Sequence, residues 1–415
     1  MKVSYIDTSY KPQKTDLIAT FYVEPAKGIS FREAAEKVAA ESSVGTWTTL
    51  TTIPKRIEKI KARVFRLNPK NKTIKIAYPI ELFEPNSVPQ ILSSVAGNIF
   101  GMKAVKNLRL ADIEFPEKIV RKFKGPQFGI KRIRKIMKIK DRPLLASVPK
   151  PKVGYSTSEY GKVAYQIWSG GLDFVKDDEN LTNQSFNKFE KRLALLMKIR
   201  DKVEKETGER KSYFVNITSE TEEMKRRAKL VADYGNEYVM IDILTSGFAA
   251  LQTMRNYLED LHLAIHAHRA MHAAFTRNRK HGISMLVLAK LARLIGVDNL
   301  HVGTVVGKLV SPKEEVYQLK EFLRSEWYGK KKTFPVSSGG LHPGLLPFIV
   351  KFFGNELVMQ IGGGVHGHPK GTYYGAKACR EALEAIQQGV SLKQYAKTHE
   401  ALRLALEKWG FTRPR

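Results

Sequence analysis

From about residue 143 onward the chain repeats one pattern: a short apolar stretch, a turn, then a longer segment with apolar residues at helical spacing. The short stretches fall at 144–149, 172–175, 213–217, 238–243, 263–267, 299–303, 333–337 and 357–361. The segments between them include 188–207, 222–234, 284–295 and 313–325, each with one apolar face and many Lys, Arg and Glu on the other. Strands this short, alternating with helices, predict a parallel sheet in an α/β protein. Eight such units over about 270 residues predict a closed (β/α)8 TIM barrel. A doubly wound open sheet is the structural alternative, and it needs a break in strand order.

The first ~120 residues follow another rhythm. Strand-like runs at 18–24, 60–67, 74–80 and 105–115 alternate with helical runs at 31–41 and 88–95, and Asn68-Pro69-Lys70-Asn71-Lys72 makes a hairpin-like turn. The order βαββαβ predicts an N-terminal α+β ferredoxin-like domain. The expected division is residues 1–120, a connection at 121–142 that begins after Pro116 and is rich in basic residues, and a catalytic barrel at 143–415.

Composition narrows the partners. No run reaches the roughly 18 apolar residues of a membrane span, and the N-terminus, with Asp7 and Lys11, lacks a signal peptide's apolar core. A cytoplasmic protein is expected. Cys379 is the single cysteine, which excludes an intrachain disulfide and a cysteine-based zinc site. Seventy Lys and Arg against 41 Asp and Glu give a formal charge of +29, and such an excess attracts anions. Nucleic acid and phosphorylated metabolites both qualify. Much of the charge lies in mixed runs at 55–66 and 118–142, which read as solvated faces. There is no zinc-finger spacing, aromatic RNA-binding signature or heptad basic region, so nucleic-acid binding rests on charge alone.

A barrel enzyme carries its chemistry on loops at the C-terminal strand ends, and these ends are heavily loaded here. The second strand runs into Gly170-Gly171-Leu172-Asp173-Phe174-Val175-Lys176-Asp177-Asp178-Glu179. Read as a strand, this puts Lys176 and Asp178 on one side, with Glu179 at the turn that follows. Carboxylates at this density suit Mg²⁺. The lysine is anomalous, because an ammonium repels a metal; a neutral amine that captures CO2 as a carbamate would instead supply an anionic oxygen. The plainer reading is a solvated acidic strand end. After the first strand come Lys150-Pro151-Lys152, after the fifth His266-Ala267-His268-Arg269 with His272 beyond, and His301 lies in the sixth. The seventh ends Ser337-Ser338-Gly339-Gly340, and the eighth Gly362-Gly363-Gly364 with His366 and His368 following. Glycine-rich ends on the last two strands match the usual phosphate site of such barrels. Gly303-Thr304-Val305-Val306-Gly307-Lys308 reads as a hinged lid carrying one charge, or as an ordinary loop. Together these features describe a Mg²⁺ enzyme acting on a bisphosphorylated, metal-chelating small molecule.

These motifs resemble those of the large subunit of ribulose-1,5-bisphosphate carboxylase/oxygenase (RuBisCO), from about Ala19 to the last helices. The resemblance implies that Lys176 is carbamylated with activating CO2 and, with Asp178 and Glu179, binds one Mg²⁺ per site. It implies that Lys150 moves protons at the enediol and product carbons, that Lys152 supports it, and that His268 takes part in proton transfer. Arg269 and His301 would bind one substrate phosphate, and Gly339, Gly340, Gly362 and Gly363 the other. Ser338 would contact a substrate hydroxyl, and Lys308 would hold the incoming CO2 carboxylate. Glu41, Thr46, Trp47 and Asn98 match segments that reach into the barrel mouth of a second subunit: Glu41 toward Lys308, Thr46 and Trp47 toward phosphate, and Asn98 toward metal and substrate. Shared sites of this kind imply a homodimer at least, open to a higher oligomer of dimers. One departure concerns the first lysine: plant-type enzymes have a threonine and one residue before it, whereas this chain has Ser147-Val148-Pro149-Lys150. That form and the shorter length are similar to the archaeal form III branch, which works without a small subunit on ribulose bisphosphate from nucleotide (AMP) ribose.

The expected reaction is carboxylation of ribulose 1,5-bisphosphate to 3-phosphoglycerate, with O2 able to replace CO2 in a monooxygenase side reaction. Two rivals stand beside it. A RuBisCO-like enolase or isomerase would act on a related phosphosugar without fixing CO2, and such relatives usually lack several of these lysines. A basic nucleic-acid-binding protein would show salt-dependent binding to random DNA.

Overall fold

A computed structural model describes residues 4–46, 48, 54–306 and 312–411 of the chain. They form two compact units, one of residues 1–125 with 271–295, the other of residues 126–270 with 296–415.

The first unit is built on the antiparallel strands Leu17–Pro25, Arg63–Asn68, Thr73–Tyr78 and Val105–Glu114. The first of them lies between the third and the fourth, and the second pairs with the third, which is the ferredoxin-like order. Alternation explains the packing: Leu17, Ala19, Phe21 and Val23 are all fully buried on one face of the central strand. Helix Phe31–Glu41 starts at Ser30, whose side chain accepts from Glu33 N at 3.1 Å, and buries Ala34, Ala35, Val38 and Ala39. One stretch differs from the sequence reading. The run at 60–67 is divided between helix Lys55–Ile60, which follows Pro54, and the strand from Arg63. The sheet also gains an unforeseen edge: Gly282–Ile283 pairs in parallel with Arg109 and Leu110. Arg109 fixes the chain leading to this edge by donating to the carbonyls of Thr276 (3.2 Å) and Asn278 (2.5 Å).

The second unit holds a closed barrel of parallel strands, so the open-sheet alternative does not apply. In chain order the barrel strands are Leu144–Ser147, Phe174–Lys176, Ser212–Asn216, Tyr238–Asp242, Ala264–His268, Asn299–His301, Phe334–Ser338 and Val358–Gln360. Each pairs with the next and the eighth pairs with the first. The interior is filled by Leu144, Ala146, Phe174, Phe214, Tyr238, Met240, Ala264, Phe334, Val336 and Val358, a packed core rather than a pore. Phe174 stacks on Phe214 with ring centroids 4.2 Å apart.

The basic stretch before the barrel contains helix Gly129–Met137, which buries Ile130, Ile133 and Met137 in the same core and leaves its charged face outside. Asp298, just before barrel strand six, holds its start: Oδ1 accepts from Phe128 N (2.8 Å) and Gly129 N (2.9 Å), and Oδ2 from Ile265 N (3.1 Å). Among the described residues no helix is long and apolar enough to cross a membrane.

Candidate active site

The ten-residue run around Lys176 divides its side chains by strand alternation. Phe174 enters the barrel core and Lys176 continues on that side, at the C-terminal end of barrel strand two. Asp173 and Asp177 face the other way. Asp173 is gripped by Arg142, which donates to both of its carboxylate oxygens (2.7 and 2.6 Å), and it also accepts from Leu145 N at 2.8 Å. The two glycines before it make room. A Cβ on Gly170 would lie 2.5 Å from Ala376 Cβ and 2.7 Å from Tyr373 O, and Gly171 has φ +104°.

Lys176 is fully buried, and its Nζ donates to Asp177 O at 2.6 Å. Burial pushes its amine below the usual lysine range, against the opposing pull of Glu179, Asp242, Asp178 and Asp177. Asp178 is also buried, and its Oδ2 accepts from Lys150 Nζ at 2.6 Å. Glu179 Oε1 accepts from Lys152 Nζ at 3.4 Å, while its Oε2 lies 3.7 Å from His268 Nε2. Burial alone would raise the Glu179 carboxyl, but charges on His268, Lys176 and Lys152 outweigh it and hold the group at about 2. The other ring nitrogen of His268 lies 2.6 Å from Asp242 Oδ1, at the end of barrel strand four. Lys150, Lys152, Lys176, Asp178, Glu179 and His268 thus form one continuous charged cluster at the strand ends.

A second chain of contacts begins beneath it. His266 stacks on Phe214 at 4.0 Å, its Nδ1 faces Asn299 Nδ2 at 3.3 Å, and its Nε2 lies 2.9 Å from His301 Nε2. His301 Nδ1 lies 2.9 Å from Ser338 Oγ. With the Asn299 amide donating, the hydrogen bonds run one way: His266 donates to His301, and His301 to Ser338, whose hydroxyl proton is left to point elsewhere. Burial drives both imidazoles well below their ordinary range, as this neutral pair requires. Both nitrogens of His301 are therefore engaged within the protein. Arg269, almost fully buried, is brought down to about 10 by burial against the pull of Glu315, and stays charged at neutral pH.

The glycines lie at the ends of barrel strands seven and eight. Gly339 and Gly340 have φ of +114° and +72°, where a side chain is strained. Gly362 approaches strand one, since a Cβ there would be 3.3 Å from Val148 Cγ1 and 3.4 Å from Lys150 Cε. Gly363 opens onto free space. Ser147 Oγ donates to Ile361 O at 2.7 Å and so closes the seam between these strands. His366 does not join the charged cluster: it is tied to Val148 O and Thr372 Oγ1 (both 3.0 Å), and burial lowers it to about 4.

Glu41, Thr46 and Asn98 belong to the first unit, Glu41 as the last residue of its helix and Thr46 and Asn98 exposed. Trp47 and Lys308 lie outside the described residues. Sequence reasoning passed over Asp242 and the anchors of Asp173 and Asp177, and it gave His266 no role of its own. Asp242 had a usable signal, an acid at the C-terminal end of a barrel strand.

The donor set fits Mg²⁺. Among the described residues no three His, Cys, Asp or Glu side chains gather as a ready-made metal group, and the two carboxylates at hand, Asp178 and Glu179, already face cations. A third oxygen beside them would come from CO2 bound as a carbamate on Lys176, whose buried amine is displaced toward its neutral form. All-oxygen ligation with few protein carboxylates is what Mg²⁺ takes.

Comparison with known proteins agrees with this arrangement. Residues 4–119 match the N-terminal domain, and residues 129–409 the catalytic domain, of the ribulose bisphosphate carboxylase large chain. The chain is 54% identical over 415 residues to the ribulose bisphosphate carboxylase of Pyrococcus furiosus, covering 100% of this chain and 99% of that one. It is 51% identical over 425 residues to the Methanosarcina acetivorans enzyme, covering 99% of each. Among solved structures, octameric Rubisco from Pyrococcus horikoshii, in complex with sulfate ion, superposes with a TM-score of 0.95 at 52% identity, over 99% of this chain and 97% of that one. Dimeric archaeal Rubisco from Hyperthermus butylicus does so with 0.93 at 50% identity, over 98% and 99%. With both of its domains matched along nearly their whole length and archaeal enzymes among its relatives, the chain belongs to the RuBisCO large-chain family.

Proposed function

We propose that the protein is a Mg²⁺-dependent ribulose-1,5-bisphosphate carboxylase/oxygenase, activated by carbamylation of Lys176 and working in cytoplasmic salvage of nucleotide ribose. The observation that carries this reading is the fully buried Lys176 at a barrel-strand end, its ammonium disfavoured by burial and flanked by Asp178 and Glu179. In its carboxylated form Lys176 would supply an anionic oxygen beside those carboxylates and accept the C3 proton of the substrate. Mg²⁺ held by Lys176, Asp178 and Glu179 supplies Lewis acidity toward the substrate oxygens. Carbon C2 then attacks CO2; after hydration the C2–C3 bond breaks, giving two molecules of 3-phosphoglycerate. Lys150 delivers the proton to the new C2 centre, with Lys152 beside it at Glu179. His268, between Asp242 and Glu179, is placed to relay protons.

Arg269 keeps its charge in a buried setting and holds one phosphate. The backbone N–H groups of Gly339, Gly340, Gly362 and Gly363 hold the other, and Gly363 leaves the approach open. Ser338, its hydroxyl proton freed by the His301 contact, donates to a substrate oxygen. His301, expected beside Arg269 at the same phosphate, also orients Ser338. Lys308 receives the carboxylate that forms on CO2, and Glu41, Thr46, Trp47 and Asn98 of a second subunit complete the site. The dimeric Rubisco of Hyperthermus butylicus and the octameric one of Pyrococcus horikoshii support our reading of a homodimer or an assembly of dimers, working without a small subunit. O2 can enter in place of CO2.

The test supplies ribulose bisphosphate, Mg²⁺ and labelled bicarbonate under anaerobic conditions. Acid-stable label in 3-phosphoglycerate is expected. Its absence, with the bisphosphate merely enolised or isomerised, would sink the carboxylase reading in favour of the RuBisCO-like one.

A further inference from the structure

Asp177 sits between two of the proposed metal ligands, yet its carboxylate faces away from them and is completely enclosed. Its Oδ1 accepts from Tyr160 Oη at 2.8 Å and from Tyr213 Oη; its Oδ2 accepts from Asn216 N at 2.9 Å and Arg192 Nη2 at 3.3 Å. Asp177, Arg192, Tyr213 and Asn216 are fully buried, and Tyr160 nearly so. Arg192 does more than neutralise one acid. Its Nε donates to Tyr213 Oη (3.1 Å), its Nη1 to Asn187 O (2.9 Å) and its Nη2 to Thr182 O (2.8 Å), so one guanidinium joins both ends of the loop after barrel strand two. Asn216 completes the frame by donating through Nδ2 to Asp178 O (3.4 Å) and Glu179 O (3.2 Å).

A fully buried ion pair is poor evidence for stability, because desolvation offsets most of its attraction. Its value lies in direction. The frame also reaches the backbone of the ligand run: Tyr160 Oη lies 3.4 Å from Lys176 O, and beside the frame Asp177 N donates to Phe214 O at 3.1 Å. We propose that Asp177 and Arg192, with Tyr160 and Tyr213, are positioning residues that fix the spacing of Lys176, Asp178 and Glu179 and thereby set the affinity of the site for its divalent cation. The proposal rests on the reading of those three residues as metal ligands.

The experiment uses Mn²⁺ as the probe, bound by the full-length protein in bicarbonate buffer and followed by electron paramagnetic resonance. Asp178→Ala is the control, and the test variant is the charge-balanced Asp177→Asn/Arg192→Met pair, which leaves no lone buried charge. Supporting partners behind metal ligands are typically worth about 10–100-fold in affinity. A loss of that size in Mn²⁺ affinity is expected, with the KM for ribulose bisphosphate at saturating Mg²⁺ unchanged. A merely structural clamp would lower the thermal midpoint and leave Mn²⁺ affinity alone, and that result overturns the proposal. Tyr213→Phe removes one hydroxyl and no charge; it should weaken Mn²⁺ binding in the same direction by less. Should the paired variant fail to fold, unchanged affinity in Tyr213→Phe overturns the proposal by itself. If Asp178→Ala leaves Mn²⁺ binding of the protein intact, the ligand assignment fails first, and the proposal with it.

Discussion

Asp173→Ala is expected to destabilise the barrel severely although it lies at the far end of the strand from the chemistry. The side chain is almost fully buried, and so is its partner Arg142. The substitution leaves the guanidinium without the two short hydrogen bonds it makes to Asp173, and an uncompensated buried charge costs about 3–5 kcal/mol. Arg142 still donates to Pro143 O at 3.0 Å, which favours the lower end of that range. Leu145 N loses its acceptor as well, for a further ~1–3 kcal/mol. A total of at least about 4 kcal/mol follows, and at about 2–4 °C per kcal/mol the thermal midpoint should fall by about 8 °C or more. Scanning calorimetry measures it. Arg142→Met/Asp173→Leu removes the pair without stranding a charge and should recover most of the loss. A single variant within about 2 °C of the parent, or a double variant as unstable as the single, would refute the reasoning.

The same pair predicts a pH dependence. Burial would raise the Asp173 carboxyl, but Arg142 and Lys211 pull it below the usual carboxylate value, so its contribution is complete above the unfolded pKa of about 3.9 and is lost as pH falls through the folded one. Urea midpoints measured between neutral pH and pH 3 should therefore decline more steeply in the parent than in the Arg142→Met/Asp173→Leu variant. Lys176→Ala should abolish labelled carboxylation while the circular dichroism spectrum stays that of the parent, because it removes a metal ligand and strands no charged partner; retained CO2 fixation would contradict the carbamate role. Gly170→Ala forces a methyl against Ala376 and Tyr373 of helix Thr372–Gln387, an overpacking cost of about 1–3 kcal/mol, and a thermal midpoint equal to the parent's would show that this helix can move away.

The barrel was legible because each of its strands is a short apolar run closed by a turn. The ends were less so. Strand two was expected at 172–175 and runs Phe174–Lys176, since Gly171 with its positive φ keeps Leu172 in the turn, while Lys176 still pairs with Phe214. An apolar scan stops at a lysine; a hydrogen-bond ladder does not. The helix Gly129–Met137 was hidden by its own charge, although Ile130, Ile133 and Met137 carried the helical period. Lys150, Lys152, Lys176, Asp178, Glu179 and His268 could be read as neighbours because the barrel brings successive strand ends together. The acids were harder: alternation along the strand separates Asp173 and Asp177 from Lys176, but only tertiary structure supplies Arg142 and Arg192, which come from elements before and after the run.

Residues 271–295 leave the barrel chain after its fifth strand, add an edge to the N-terminal sheet through Gly282–Ile283, and return at residue 296. The unit that begins the chain is thus finished only when two-thirds of the protein has been made. On a ribosome, Val105–Glu114 waits for its outer neighbour until barrel strand five has emerged. A gene fusion or circular permutation that cuts near residue 125 would carry off a sheet with Val105–Glu114 newly uncovered at its edge, and edges of that kind invite pairing with other chains. Each unit is compact by itself, yet neither is one unbroken stretch of chain: what can be exchanged between relatives is the whole chain, or the barrel together with the loop that leaves it.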